Sequence, residues 1–182
     1  FAIGPQTPLA GEVAELISEL TGHSRVTFCN TGSEAVMAAL RVARTVTGRD
    51  RIVVFGNDYH GQFDEVLVKG RSRAGQHRTL PIAAGIPTDS LSNITVLPYG
   101  APESLDWIRA NADELAAVII EPVQSRHPEL QPVEFVRALR ALATERDFAL
   151  VFDEVVTGFR IAPGGAQEHL GIRARCGVFG LA

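Results

Sequence analysis

The chain has 182 residues, 46% hydrophobic and 21% charged, with a formal net charge of −4. These values suit one globular domain. The acidic balance argues against a broad nucleic-acid footprint, and no apolar run approaches the roughly 18 residues of a membrane span. Phe1-Ala2-Ile3-Gly4-Pro5 carries no basic segment and does not read as a signal peptide. No initiator Met opens the chain, as expected of a piece of something longer. Cys29 and Cys176 lie far apart with no metal-ligand spacing, so both read as reduced thiols of a cytoplasmic protein. Lys69 is the only lysine among seventeen Lys and Arg residues.

Gly11 to Leu20 reads as an amphipathic helix. Val13, Leu16, Ile17 and Leu20 repeat at helical spacing, and Gly22 suits the left-handed position after its end. Arg25 to Asn30 alternates and reads as a short strand. A helix then runs to about Thr45, with Thr31 and Glu34 at capping-box spacing. A strand turning through Gly32 into a polar helix start offers free N–H groups and a dipole to an anion. Taken alone, Thr31-Gly32-Ser33-Glu34 is also an ordinary capped helix start.

Arg51 to Phe55 reads as a buried strand ending in Gly56-Asn57-Asp58-Tyr59-His60-Gly61. Tyr59 or His60 could lie flat on a planar ligand; a structural loop with an exposed aromatic is the other reading. Residues 63–68 are a candidate strand. Gly70 to Ser92 reads as a long loop with Arg71, Arg73 and Arg78 in solvent. Ile94 to Leu97 is a strand, and Pro102 opens a helix with Leu105, Ile108 and Ala112 inward. Ala116 to Ile120 is a buried strand ending in Glu121-Pro122-Val123-Gln124. Pro132 opens the next helix, with Val136, Leu139, Leu142 and Ala143 inward.

Phe148 to Phe152 reads as a strand buried on both faces, ending in Asp153-Glu154. Neighbouring strand residues point to opposite faces, so these two carboxylates cannot share one ligand. The pair either meets a cationic atom over the strand ends or simply marks a strand end beside a turn. A short helix is expected between Gly164 and Gly171. Strands alternating with helices give an α/β fold with a mostly parallel sheet and helices on both faces. In such a fold, ligands bind beyond the carboxyl ends of the strands. Four polar clusters sit at predicted strand ends, and their convergence on one sheet edge favours a binding site.

Asn30-Thr31-Gly32-Ser33-Glu34-Ala35, Tyr59-His60-Gly61, Glu121-Pro122-Val123-Gln124 and Asp153-Glu154-Val155-Val156-Thr157-Gly158-Phe159-Arg160 occur in order. Together they resemble class III aminotransferases, pyridoxal-phosphate enzymes of fold type I that include glutamate-1-semialdehyde aminomutase. Gly4-Pro5-Gln6-Thr7-Pro8-Leu9-Ala10-Gly11-Glu12 and the segment from Glu121 to Arg126 are similar to aminotransferase domains of polyketide and non-ribosomal peptide synthases. The resemblance implies that residues 1–182 are the central part of the large domain, without the N-terminal arm, the lysine segment or the small C-terminal domain. It implies that Gly32 and Ser33 bind the cofactor phosphate, that Tyr59 and Val155 pack on the two ring faces, that Asp153 pairs with the protonated ring nitrogen, and that Gln124 donates to the phenolic oxygen. Glu121 would organise the site, and His60 has no secure role. The implied parent is a homodimer that moves an amino group from an amino acid to a carbonyl acceptor. That acceptor is a carrier-bound β-ketoacyl thioester in the synthase reading, which adds a carrier-protein partner. In the aminomutase reading the substrate is glutamate-1-semialdehyde.

The family also needs a Schiff-base lysine. Gly171-Ile172-Arg173-Ala174 matches the stretch before it, which places Leu181 at the lysine and Arg175 at an acidic residue. Three explanations arise: an out-of-frame end, an incomplete piece, or a lysine-less module that binds cofactor without catalysis. A fragment whose residues 175–182 are out of frame is the favoured one, inactive as written, with Lys69 a solvated charge and apolar surface left uncovered. A generic nucleotide-binding domain is disfavoured because no glycine-rich phosphate motif is present.

Overall fold

A computed structural model describes residues 7–73 and 76–180. Its elements in chain order are α1 (Pro8–Thr21), α2 (Gly32–Thr47), β1 (Arg51–Phe55), β2 (Val68–Arg73), β3 (Gln76–Pro81), β4 (Ile94–Leu97), α3 (Pro102–Asn111), β5 (Leu115–Ile120), α4 (Val133–Glu145), β6 (Ala149–Glu154), α5 (Gly165–Leu170) and β7 (Cys176–Phe179). Five strands form one sheet in the order β4-β1-β5-β6-β7, every pair parallel. β2 and β3 form a separate antiparallel pair.

Period-2 alternation divides the core between the two sheet faces. Val53, Phe55, Val118, Ile120, Leu150 and Phe152 face α3 and α4, meeting Ile108, Val136 and Leu139. Ile52, Val54, Ala117, Ile119 and Val151 face α2, meeting Val36, Ala39 and Leu40. Each large apolar side chain so buried contributes about 1.5–3 kcal/mol. Across the sheet's opposite edge, the Arg49 guanidinium donates to the carbonyls of Ala112, Leu115 and Asp147 at 3.2–3.3 Å. That edge is thereby closed by one cation, while the carboxyl ends of the strands carry the polar loops.

Several expectations are corrected. Residues 25–30 form no ladder with any described strand, and Phe28 is exposed; alternation without a neighbour has no face to bury. The expected loop from Gly70 contains β2 and β3, with Arg71 opposite Arg78. Charged, glycine-bearing strands lack the apolar run that identifies a core strand. Gly70 permits their docking, because a Cβ there would lie 2.9 Å from Val96 Cγ1. Asp64–Val66 is a 3-10 turn, so the candidate strand at 63–68 begins only at Val68. Cys176–Phe179, expected to be out of frame, pairs in register with Val151–Glu154 as β7. Leu181 lies outside the described residues, as do Gly4, Pro5 and Gln6 of the synthase-like segment.

The α1 helix is present, and Gly22 ends it at φ 73°. Of its predicted apolar stripe, Val13, Leu16 and Leu20 are exposed and Ile17 is half-buried; Leu9, outside that stripe, is exposed too.

Candidate functional site

The strands β1, β5 and β6 lie side by side and end in Gly56–Gly61, Glu121–Gln124 and Asp153–Glu154. Alternation separates the last two carboxylates. Glu154, fully buried, accepts from Thr157 Oγ1 at 2.9 Å, from Gln167 N at 3.3 Å and from Ala166 N. It therefore caps the start of α5. Burial raises its pKa, and these hydrogen bonds oppose the rise.

Asp153 belongs to the α2 side of the sheet, in line with Val151. Its Oδ2 lies 2.8 Å from His60 Nδ1, and its Oδ1 accepts from Val155 N at 3.2 Å. The other ring nitrogen of His60, Nε2, lies 3.5 Å from Asp58 Oδ2, an ion-pair distance without hydrogen-bond geometry. Burial alone would lower the His60 pKa; the hydrogen bond to Asp153 and the neighbouring Asp58 outweigh it and raise it to about 10. That shift, with a carboxylate beside each ring nitrogen, favours the imidazolium form at neutral pH.

Asp58 ties β1 to β5. Its Oδ1 accepts from Gln124 Nε2 at 2.5 Å, and its Oδ2 from Glu121 N at 3.1 Å. Gln124 also donates to Gly56 O at 2.9 Å. Both N–H groups of the amide are committed, so in this geometry Gln124 has none left for a phenolic oxygen and instead holds Asp58. Glu121 accepts from Tyr59 N at 2.9 Å and Ser125 N at 3.2 Å. It fixes the backbone of the Tyr59 loop. Burial raises the Glu121 pKa, against the hydrogen bond from Tyr59.

The start of α2 supplies the other pole. Thr31 Oγ1 accepts from Glu34 N at 3.2 Å, while Glu34 Oε2 accepts from Asn30 N and Thr31 N at 2.8 and 3.1 Å. This capping box leaves the first-turn N–H groups of Gly32 and Ser33 for an anion. Ser33 Oγ accepts from Gln62 N at 3.0 Å. A Cβ on Gly61, at φ +110°, would lie 2.5 Å from that oxygen, and one on Gly32 would lie 3.1 Å from Val155 Cγ2. Only glycine allows the β1 loop, the start of α2 and Val155 to meet this closely. The Tyr59 side chain is 43% exposed, and its hydroxyl accepts from Gln62 Nε2 at 3.0 Å.

The structure therefore gathers Gly32, Ser33, Tyr59, Asp153 and Val155. It adds Asp58 and His60, which sequence reasoning left without a role. Their signal was faint: two residues flanking Tyr59 just beyond a buried strand. A separate cleft of about 510 Å³, lined by Asn57, Tyr99, Gln124 and Leu130, excludes Asp153 and Ser33.

Asp58 and Asp153 flank His60, and Glu121 is tied to the same loop through Tyr59 N. This composition favours a further cation over the β6 end, while the α2 start favours an anion. A phosphorylated cationic ring fits both poles.

The family model Aminotransferase class-III matches residues 3–180. The chain belongs to the class-III aminotransferase family. It is 42% identical over 172 residues to a glutamate-1-semialdehyde 2,1-aminomutase of Archaeoglobus fulgidus, covering 93% of this chain and 41% of that protein. An omega-transaminase structure from Sphaerobacter thermophilus aligns with TM-score 0.88 and 32% identity, over 98% of this chain and 43% of that one. A glutamate-1-semialdehyde-aminomutase variant from Pseudomonas aeruginosa PAO1, in complex with PMP, aligns with TM-score 0.79 and 26% identity, over 93% and 37%. The chain spans about two fifths of the length of the curated relatives it matches. Family and neighbours indicate pyridoxal phosphate as the cofactor.

Proposed function

We propose that this chain forms the cofactor-binding floor of a pyridoxal-phosphate enzyme that moves an amino group to a carbonyl carbon. The observation that carries this reading is the buried Asp153–His60 pair at the end of β6, on the sheet face that α2 covers. Gly32 and Ser33 would hold the phosphate. Asp153 would hold the proton on the ring nitrogen, with Val155 and Tyr59 packed on the ring faces and Glu121 holding Tyr59 in place. When bound, the cofactor supplies a cationic ring that draws electrons from the substrate carbon.

The aminomutase names of the sequence relatives favour rearrangement of glutamate-1-semialdehyde over transfer between two molecules. A carrier-bound thioester acceptor has no support from them. For the parent protein we retain a homodimer. The cysteines Cys29 and Cys176 are free thiols, which supports a cytoplasmic setting.

Lys69 does not serve this site. It lies on β2, in the pair that packs beside β4. From β4 to β6 is three strand spacings, about 14 Å. This placement gives a second reading some weight: a module that binds cofactor without turnover.

The test is a fluorescence titration of the chain with pyridoxamine 5′-phosphate, whose binding needs no lysine. Saturable binding is expected. Asp153→Asn should weaken it about tenfold or more, the weight of a charge-assisted hydrogen bond, and Lys69→Ala should leave it unchanged. No saturable binding by the wild type would refute both readings. Turnover of glutamate-1-semialdehyde by the longer protein separates the enzyme from the inert module.

A further inference from the structure

We propose that Asp58 is a positioning residue for this site: it holds His60 against Asp153, so the β6 carboxylate is fixed in direction before a ligand arrives. This rests on the role given to Asp153 above.

The Asp58 side chain is fully buried. A buried carboxylate is costly unless it is paired and hydrogen-bonded. Asp58 receives hydrogen bonds from Gln124 and Glu121, but neither carries positive charge. The cation it faces is His60. Only one protonation state of His60 suits both of its neighbours. With a proton on Nδ1 alone, the Nε2 lone pair would face Asp58 Oδ2 at 3.5 Å. With a proton on Nε2 alone, the Nδ1 lone pair would sit 2.8 Å from Asp153 Oδ2. The doubly protonated ring donates to Asp153 and sets its positive charge at ion-pair distance from Asp58. Glu121, at the end of β5, is a further carboxyl group tied to this loop through Tyr59 N.

The consequence reaches Asp153. Its Oδ2 is taken by His60 and its Oδ1 by Val155 N, so the carboxylate plane is set by protein groups alone. Without Asp58, the His60 ring loses one of its two anchors and relaxes toward a neutral form. The carboxylate then loses a charged partner on one oxygen. Asp58 does this without touching the ligand.

The experiment is side-chain ¹⁵N NMR of the histidines in the chain across pH 6–10, with His60 assigned by its loss in His60→Gln. Wild-type His60 should remain doubly protonated at pH 8. Asp58→Asn should lower its titration midpoint by about 1–3 units, the effect of removing an opposite charge at this distance. The same variant should weaken pyridoxamine 5′-phosphate binding several-fold. A neutral His60 in the wild type at pH 7 overturns the proposal without any variant, so a misfolded Asp58→Asn chain does not rescue it. An unchanged midpoint in folded Asp58→Asn overturns it as well. The two failures are distinct: a charged His60 with no cofactor binding ends the cofactor reading, whereas binding with an Asp58-independent His60 ends this one.

Discussion

At His60, burial and charge act in opposite directions, and the balance decides how the fold responds to pH. The folded pKa of about 10 stands above the ordinary 6.5. A raised basic pKa contributes stability that is fully present below the unfolded value and is lost as pH rises through the folded one. Urea midpoints should therefore fall between pH 7 and pH 10.5. In His60→Gln the protein should be less stable at pH 7 and the alkaline fall smaller. A wild-type midpoint that stays flat across this range would contradict the charged state. Gly32, Ser33, Tyr59, Asp153 and Val155 were given roles by the family resemblance, and the fold brings the loops that carry them together. Asp58 and His60 were given none, because their roles depend on Asp153 and Gln124, which are remote in sequence and adjacent only after the sheet forms. Gln124 shows the same limit: its amide was assigned to a ligand, and the fold gives it to Asp58 and Gly56.

Elements with a strong apolar period were legible with nearly correct ends. These include α3, α4, β1, β4, β5 and β6, along with the glycine stop of α1. Alternation along β6 also anticipated that Asp153 and Glu154 divide their work. Glu154 joins β6 to α5 through Thr157, Ala166 and Gln167. Glu154→Ala should cost about 3 kcal/mol, since it strands buried N–H groups at the α5 start. Urea unfolding measures this, and a loss under about 1 kcal/mol would show that α5 does not depend on the carboxylate. The elements that sequence missed have weak local signals. β2 and β3 carry cations and glycine rather than an apolar run, and β7 holds Gly177 within four residues. Residues 25–30 show the converse: a good alternation that found no neighbouring strand among the described residues.

Across the whole molecule, the expected convergence of polar ends on one sheet edge holds for β1, β5 and β6, joined there by the start of α2. Arg49 binds backbone carbonyls at the opposite edge, so the end closed by this cation and the end that carries the polar loops lie apart. The exposed apolar face of α1 accords with a chain that spans two fifths of its relatives. Parallel α/β architecture follows from pattern alone; the charge arrangement at the carboxyl ends of the strands required the fold. The central claim is that Asp153, anchored by His60, holds the proton on the cofactor ring. The most direct measurement is the ¹⁵N chemical shift of ring-labelled pyridoxamine 5′-phosphate bound to this chain, at a pH where the free compound has lost its ring proton. A pyridinium shift in the wild type that moves toward neutral pyridine in Asp153→Asn is the predicted result. A neutral ring bound to the wild type would contradict the account.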